Sequence, residues 1–107
     1  MAIAAVSISP VGLGVSVSRH VAAALRVARA QDRVRWRLDP MFTTLEGELE
    51  EVLALVARMQ EAVFAAGALR VSTVLKIDDR RDRPVRMEEK VRSVEALLAE
   101  PAPDRRE

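Results

Sequence analysis

The residues best suited to chemistry stand in two short stretches. Thr43, Thr44 and Glu46 lie close together, with Phe42 just before them, and Asp78 and Asp79 form an adjacent pair. Carboxylates beside hydroxyls at strand ends can hold a polar or cationic small molecule. Two carboxylates can also act as general acid and base. No nucleophile with its own base, no metal-ligand cluster and no phosphate loop accompanies them, so binding without reaction is the expectation. A purely structural role is equally physical. Glu46 and Glu48 suit the N-terminus of a following helix, and Asp78-Asp79-Arg80-Arg81 can be a salt-bridged turn. His20 has no second His and no Cys near it, and reads as a surface histidine. The Gly12/Gly14 pair is too sparse for a dinucleotide fingerprint.

Composition narrows the choice. The chain has 107 residues with Lys+Arg 17 against Asp+Glu 16, a formal charge of +1. That length suits one domain, expected over residues 1–100, with a Pro- and charge-rich flexible tail over 101–107. The absence of Cys excludes a disulfide framework, a thiolate zinc site and a Cys nucleophile. A near-neutral balance argues against a broad nucleic-acid surface. The aromatics Trp36, Phe42 and Phe64 are too few for a base-stacking platform. No run approaches the roughly 20 apolar residues of a membrane span. Residues 1–18 are uncharged, but they lack a basic start and are broken by Ser, Pro and Gly, unlike a signal peptide. The expectation is a cytoplasmic protein without a cofactor, nucleic acid or membrane partner.

These residues need elements to position them. Residues 2–9 alternate Ala2, Ala4, Val6, Ile8 with Ile3, Ala5, Ser7, Ser9, and neither face carries a charge. Such a strand should be central. Ser16 or Ser18 is placed to cap a helix to about Gln31, with Val17, Val21, Ala24, Leu25 and Ala28 on its stripe. In residues 33–39, Val34, Trp36 and Leu38 alternate with arginines, giving a strand packed on one face. Residues 42–47 form its hairpin partner. A long helix over about 48–66 follows, with Leu49, Val52, Leu53, Val56, Met59 and Val63 inward and Gly67 closing it. Residues 70–77 make a last strand. Residues 87–99 make a third helix with Met87, Val91, Val94 and Leu98 on one side.

The order β-α-β-β-α-β predicts an α+β, ferredoxin-like sandwich. It has a four-stranded antiparallel sheet with two helices on one face, plus a C-terminal helix. The uncovered face would then present Ile3, Ala5, Ser7, Ser9, Ser72 and Val74. That set is too apolar and uncharged for a solvated sheet. It predicts self-association or a partner helix on that face, with the chain's own third helix as the alternative.

The stretch from Asp39 to Gly47 resembles a P-M-G-T-x-(I/V)-E-G motif. Lys76-Ile77-Asp78-Asp79-Arg80-Arg81-Asp82 resembles K-I-D-D-R-x-D, and Ile8, Ser9, Gly12 and Gly14 loosely match I-S-x-x-P-x-G-x-G. Together they are similar to the small thiamine-binding, ferredoxin-like protein family, over residues 2 to about 98. The resemblance implies a non-enzymatic binder of thiamine or its hydroxymethylpyrimidine part, assembled as a homodimer or homotetramer. Thr43 and Glu46 match the motif Thr and Glu, and the resemblance implies that they line the pocket. A buried carboxylate suits an aminopyrimidine and offsets a thiazolium charge. Thr44, Ser7 and Ser9 are further candidates, and Asp78 and Asp79 match their motif with a role in ligand, turn or subunit contact. Phe42 stands where the motif has Gly, and its ring either stacks on the ligand or fills the pocket. The competing expectation is an interaction module that recruits a partner protein through the open sheet face.

Overall fold

The chain builds on its first strand. A computed structural model describes residues 1–103. In it β1 (Ala2–Pro10) pairs antiparallel with β3 (Thr43–Gly47) on one side and β4 (Val71–Asp79) on the other. β2 (Arg35–Leu38) completes the sheet beside β3, giving the order β2-β3-β1-β4. This is the expected ferredoxin-like sheet, with the uncharged strand at its centre.

Alternation along β1 sorts the two faces. Ala2, Ala4, Val6 and Ile8 are buried, and the last three join one core with Leu45, Val34, Ala24, Ala28, Val52, Leu55, Met59 and Val63. The core therefore lies between the sheet and the helices α1 (Ser18–Arg29) and α2 (Leu49–Ala65). Burying one such Val or Leu contributes roughly 1.5–3 kcal/mol. In α2 the buried set is Val52, Leu55, Val56, Met59 and Val63, an i, i+3, i+4 stripe. Leu53, expected inside, is exposed because it sits beside that stripe, and Leu55 takes its place. Leu38 is also exposed, at the end of the edge strand β2.

Helix ends differ from the expected caps at α1. Val17 is the N-cap residue and no side chain caps the helix; Ser18 already lies within it. His20 is half-buried rather than on the surface, and both ring nitrogens are enclosed without a partner among the described residues. The end of α2 matches expectation. Gly67 has φ +111, its N–H donates to the Phe64 carbonyl at 3.0 Å, and the Ala68 N–H donates to the Val63 carbonyl at 3.4 Å. That pair of bonds is a Schellman closure.

The third helix, α3 (Met87–Leu98), buries only Met87. Its start lies over Ile3 and Ala5 on the open face. The rest of its stripe, Val91, Val94, Leu97 and Leu98, is exposed, and so is Val74 further along the sheet. The chain's own helix thus covers one end of the open face and leaves the other bare. Residues 101–103 form no element, and the remainder of the expected tail, 104–107, lies outside the described residues. Among the described residues no helix is long and apolar enough to cross a membrane.

Gly67→Ala tests the closure of α2. No atom crowds the added methyl, so the cost is the left-handed backbone alone, about 1 kcal/mol. A lower urea midpoint is the expected outcome. An unchanged midpoint would show that this turn is not conformationally demanding.

Candidate functional site

Strand alternation divides the candidate residues. Side chains directly opposite in paired strands share a face. Arg35, Glu46, Ile3 and Asp78 therefore form one row across the open face, and Arg37, Thr44, Ala5 and Lys76 form the next. Thr43 pairs with Val6 and Leu38 on the helix side. Thr43 and Glu46, three positions apart on one strand, consequently lie on opposite faces of the sheet. So do the adjacent Asp78 and Asp79.

Glu46 is almost fully buried at 1% exposure, and both of its oxygens are engaged. Oε1 accepts the backbone N–H of Met87 at 2.7 Å, and Oε2 accepts from Arg35 at 2.7 Å. Met87 is the first residue of α3, which has no side-chain cap of its own. A sheet carboxylate thus satisfies one of the helix's orphan amides and sits at the positive end of its dipole. Arg35 also bonds Glu88 in the first turn. The Arg35 guanidinium holds the Glu88 carboxyl down from its ordinary 4.5 to about 2, and the two carboxylates raise Arg35. This latch of Arg35, Glu46, Met87 and Glu88 fastens α3 to the sheet. Arg35, Met87 and Glu88 were not among the sequence candidates. The signal available for Arg35 was its place in the charged alternation of residues 33–39.

Asp78 pairs with Lys90 of α3, whose ammonium holds the carboxyl below its usual range. With Thr44, Lys76 and Ile3, they line a cavity of about 280 Å³ on the open face. Asp79 bonds Arg81 at 2.8 Å beside a wider depression of about 940 Å³ at the start of α2. Three of the arginines around that depression are paired with carboxylates of the chain, Arg33 with Glu51, Arg80 with Asp82 and Arg81 with Asp79.

Phe42 and Thr43 meet elsewhere with the β1 segment from Ser7 to Ser9, where the two serine side chains themselves belong to the open face. Phe42, Thr43 and that segment line a cleft of about 150 Å³ between α1, the end of β1 and the loop joining β2 to β3. Its apolar wall comes from Val17, Val21 and Leu25 of the α1 region, Met41 of the loop and Met59 of α2. Thr43 is 6% exposed. Asp39 also lines the cleft, and its carboxylate is fixed by Thr44 Oγ1 at 3.0 Å and Arg37 at 3.3 Å. The loop is closed by the Asp39 N–H donating to the Phe42 carbonyl at 3.0 Å. Phe42 forms part of the wall and leaves the cleft open. Its backbone is not in the left-handed region, so a side chain here costs no strain. Asp39, Met41 and Met59 are cleft residues the sequence reading missed. Asp39 and Met41 stood in the quoted motif, while Met59 read only as core. Among the described residues no group of three His, Cys, Asp or Glu could hold a metal ion.

A four-stranded ferredoxin-like sheet with a ring-sized cleft at the free end of its central strand defines the class of this small α+β domain. Residues 4–95 match the family described as thiamine-binding protein, and the chain belongs to that family. It is 41% identical over 102 residues to the UPF0045 protein YqgV of Bacillus subtilis, covering 92% of this chain and 98% of the relative. It resembles the solved structure of MJ1052 from Methanocaldococcus jannaschii, with TM-score 0.80 and 35% identity over 88% of this chain and 95% of that one. A solved Bacillus cereus structure matches with TM-score 0.75 and 38% identity, over 84% and 86%.

Glu46→Ala leaves the Met87 amide without its acceptor and Arg35 with Glu88 alone, an expected loss of about 1–3 kcal/mol. Amide exchange should quicken across residues 87–98 more than across α2; equal exchange in both would contradict the latch. Glu88 gives a pH signature of the same contact. Its folded value is depressed, so its contribution is complete above about pH 4.5 and is lost as the pH falls towards about 2. An NMR titration of Glu88 with an ordinary midpoint would contradict the Arg35 contact.

Proposed function

We propose that the protein binds thiamine or a related 4-aminopyrimidine in the cleft between α1 and the β2–β3 loop, without reacting with it. The observation that carries this reading is one small space bounded by Phe42, Thr43 and the β1 segment from Ser7 to Ser9. A cavity near 150 Å³ is about the size that holds a single six-membered ring. The pyrimidine half of thiamine fits that limit and the whole molecule does not. The apolar wall would take the ring faces, and the Thr43 hydroxyl its polar edge. The cationic half would lie at the mouth, near the Asp39 carboxylate. Membership of the thiamine-binding family supports the ligand.

In this reading the protein is a carrier or sensor in the cytoplasm, and not an enzyme. Glu46 acts indirectly, as the anchor of α3, and Asp78 and Asp79 hold their own cationic partners. Thr44 contributes by fixing Asp39.

The bare part of the open face favours a second property, self-association as a homodimer or homotetramer. Val94 is 56% exposed and Leu97 66%, and both continue the apolar stripe that begins at buried Met87. A partner protein on the same surface is the competing occupant.

Calorimetry with thiamine and with hydroxymethylpyrimidine tests the ligand. Both are expected to bind, and Thr43→Val, which removes one hydroxyl at nearly constant volume, should weaken both by roughly three- to tenfold. Absence of heat from either compound at millimolar concentration would overturn the reading. For assembly, mass in solution should exceed that of one chain, and Val94→Arg should reduce it. A wild-type protein that stays monomeric at micromolar concentration would contradict self-association.

A further inference from the structure

The central strand leaves one pair of main-chain groups unclaimed. On its β4 side β1 is paired along its whole length, from Ala2 opposite Asp79 to Pro10 opposite Val71. On its β3 side pairing stops at Val6 opposite Thr43. Successive residues of a strand aim their N–H and C=O groups to alternate sides. The Val11 N–H donates to the Arg70 carbonyl at 2.8 Å, which continues this pairing, so the odd-numbered residues of β1 bond β4. The even-numbered ones face β3. Val6 is the last of these with a β3 partner, and Ile8 is the next.

Ile8 is only 6% exposed and lines the cleft. The residues that would continue β3 opposite it have turned away into the loop, where Asp39 and Phe42 bond each other. Among the described residues no hydrogen bond reaches the Ile8 N–H or C=O on that side. Buried main-chain groups are almost always paired. An unpaired donor beside an unpaired acceptor on a cavity wall is the half-finished rung of a β-ladder.

We infer that the Ile8 N–H and C=O read the edge of the bound ring and select a ring nitrogen next to an exocyclic amine. This rests on the ligand reading above and specifies how it is met. The N–H needs an acceptor, which a pyridine-type nitrogen supplies. The C=O needs a donor, which an amine on the neighbouring carbon supplies. Both bonds form at once because the two main-chain groups lie side by side, as in an antiparallel pair. A ring bearing a carbonyl and a protonated nitrogen at those positions faces donor with donor and acceptor with acceptor. Leaving the buried groups unpaired in this way carries a large penalty in affinity.

The test compares thiamine with its 4-oxo analogue, in which the donor and acceptor exchange places and the rest of the molecule is unchanged. Calorimetry should show the oxo compound weaker by roughly tenfold or more. On isotope-labelled protein, the Ile8 amide signal should move with thiamine and much less with the analogue. Equal affinity, or an Ile8 amide that stays still while thiamine binds, overturns this inference and leaves the ligand reading intact. Failure of thiamine to bind at all overturns both.

Discussion

The structure depends on an unequal pairing. β1 has nine residues, β4 matches all of them, and β3 matches five. A strand without charges can sit in the middle of the sheet because nothing on it needs water. Its even-numbered side chains fill the core under α1 and α2. Where β3 ends, the loop of residues 39–42 crosses the gap without re-forming the ladder. The cleft is the space left between that loop, the unpaired edge of β1 and the first turns of α1. A longer β3 would close it with a rung of backbone hydrogen bonds.

The second constraint is the buried Glu46 carboxylate. It joins two elements far apart in the chain, since Met87 and Arg35 both bond it. A buried carboxylate is tolerated when its oxygens are paired, and removal of the partners is costly. This is why α3 can stay docked with so little apolar contact. Its exposed stripe then projects beside the bare sheet, leaving an apolar surface that one chain does not cover. The cleft and the apolar surface are separate features, one beside the helices and one on the open face.

Much of this was legible in the sequence. The alternation of residues 2–9 gave the central strand, and the arginine alternation gave β2 with its hairpin partner. Gly67 marked the end of α2. The candidate site was less legible, for a physical reason. A motif places residues near one another in the chain, whereas a strand sends neighbours to opposite faces. Thr43 and Glu46 matched one motif and separate across the sheet. The role of Glu46 depends on a helix forty-one residues away, with no local signal to announce it. Leu53 and Leu55 differ only in helical phase, which a loosely regular stripe leaves open. The unpaired groups of Ile8 are main-chain atoms, invisible to any reading of residue types.

A crystal structure of the protein with hydroxymethylpyrimidine bears most directly on the central claim, that the cleft beside the free edge of β1 receives an aminopyrimidine ring. The account requires the ring between α1 and the 39–42 loop, against Thr43, with its edge on the Ile8 main chain. A ring bound instead on the open face beside Asp78 and Lys90, or at the depression around Arg81, would contradict it.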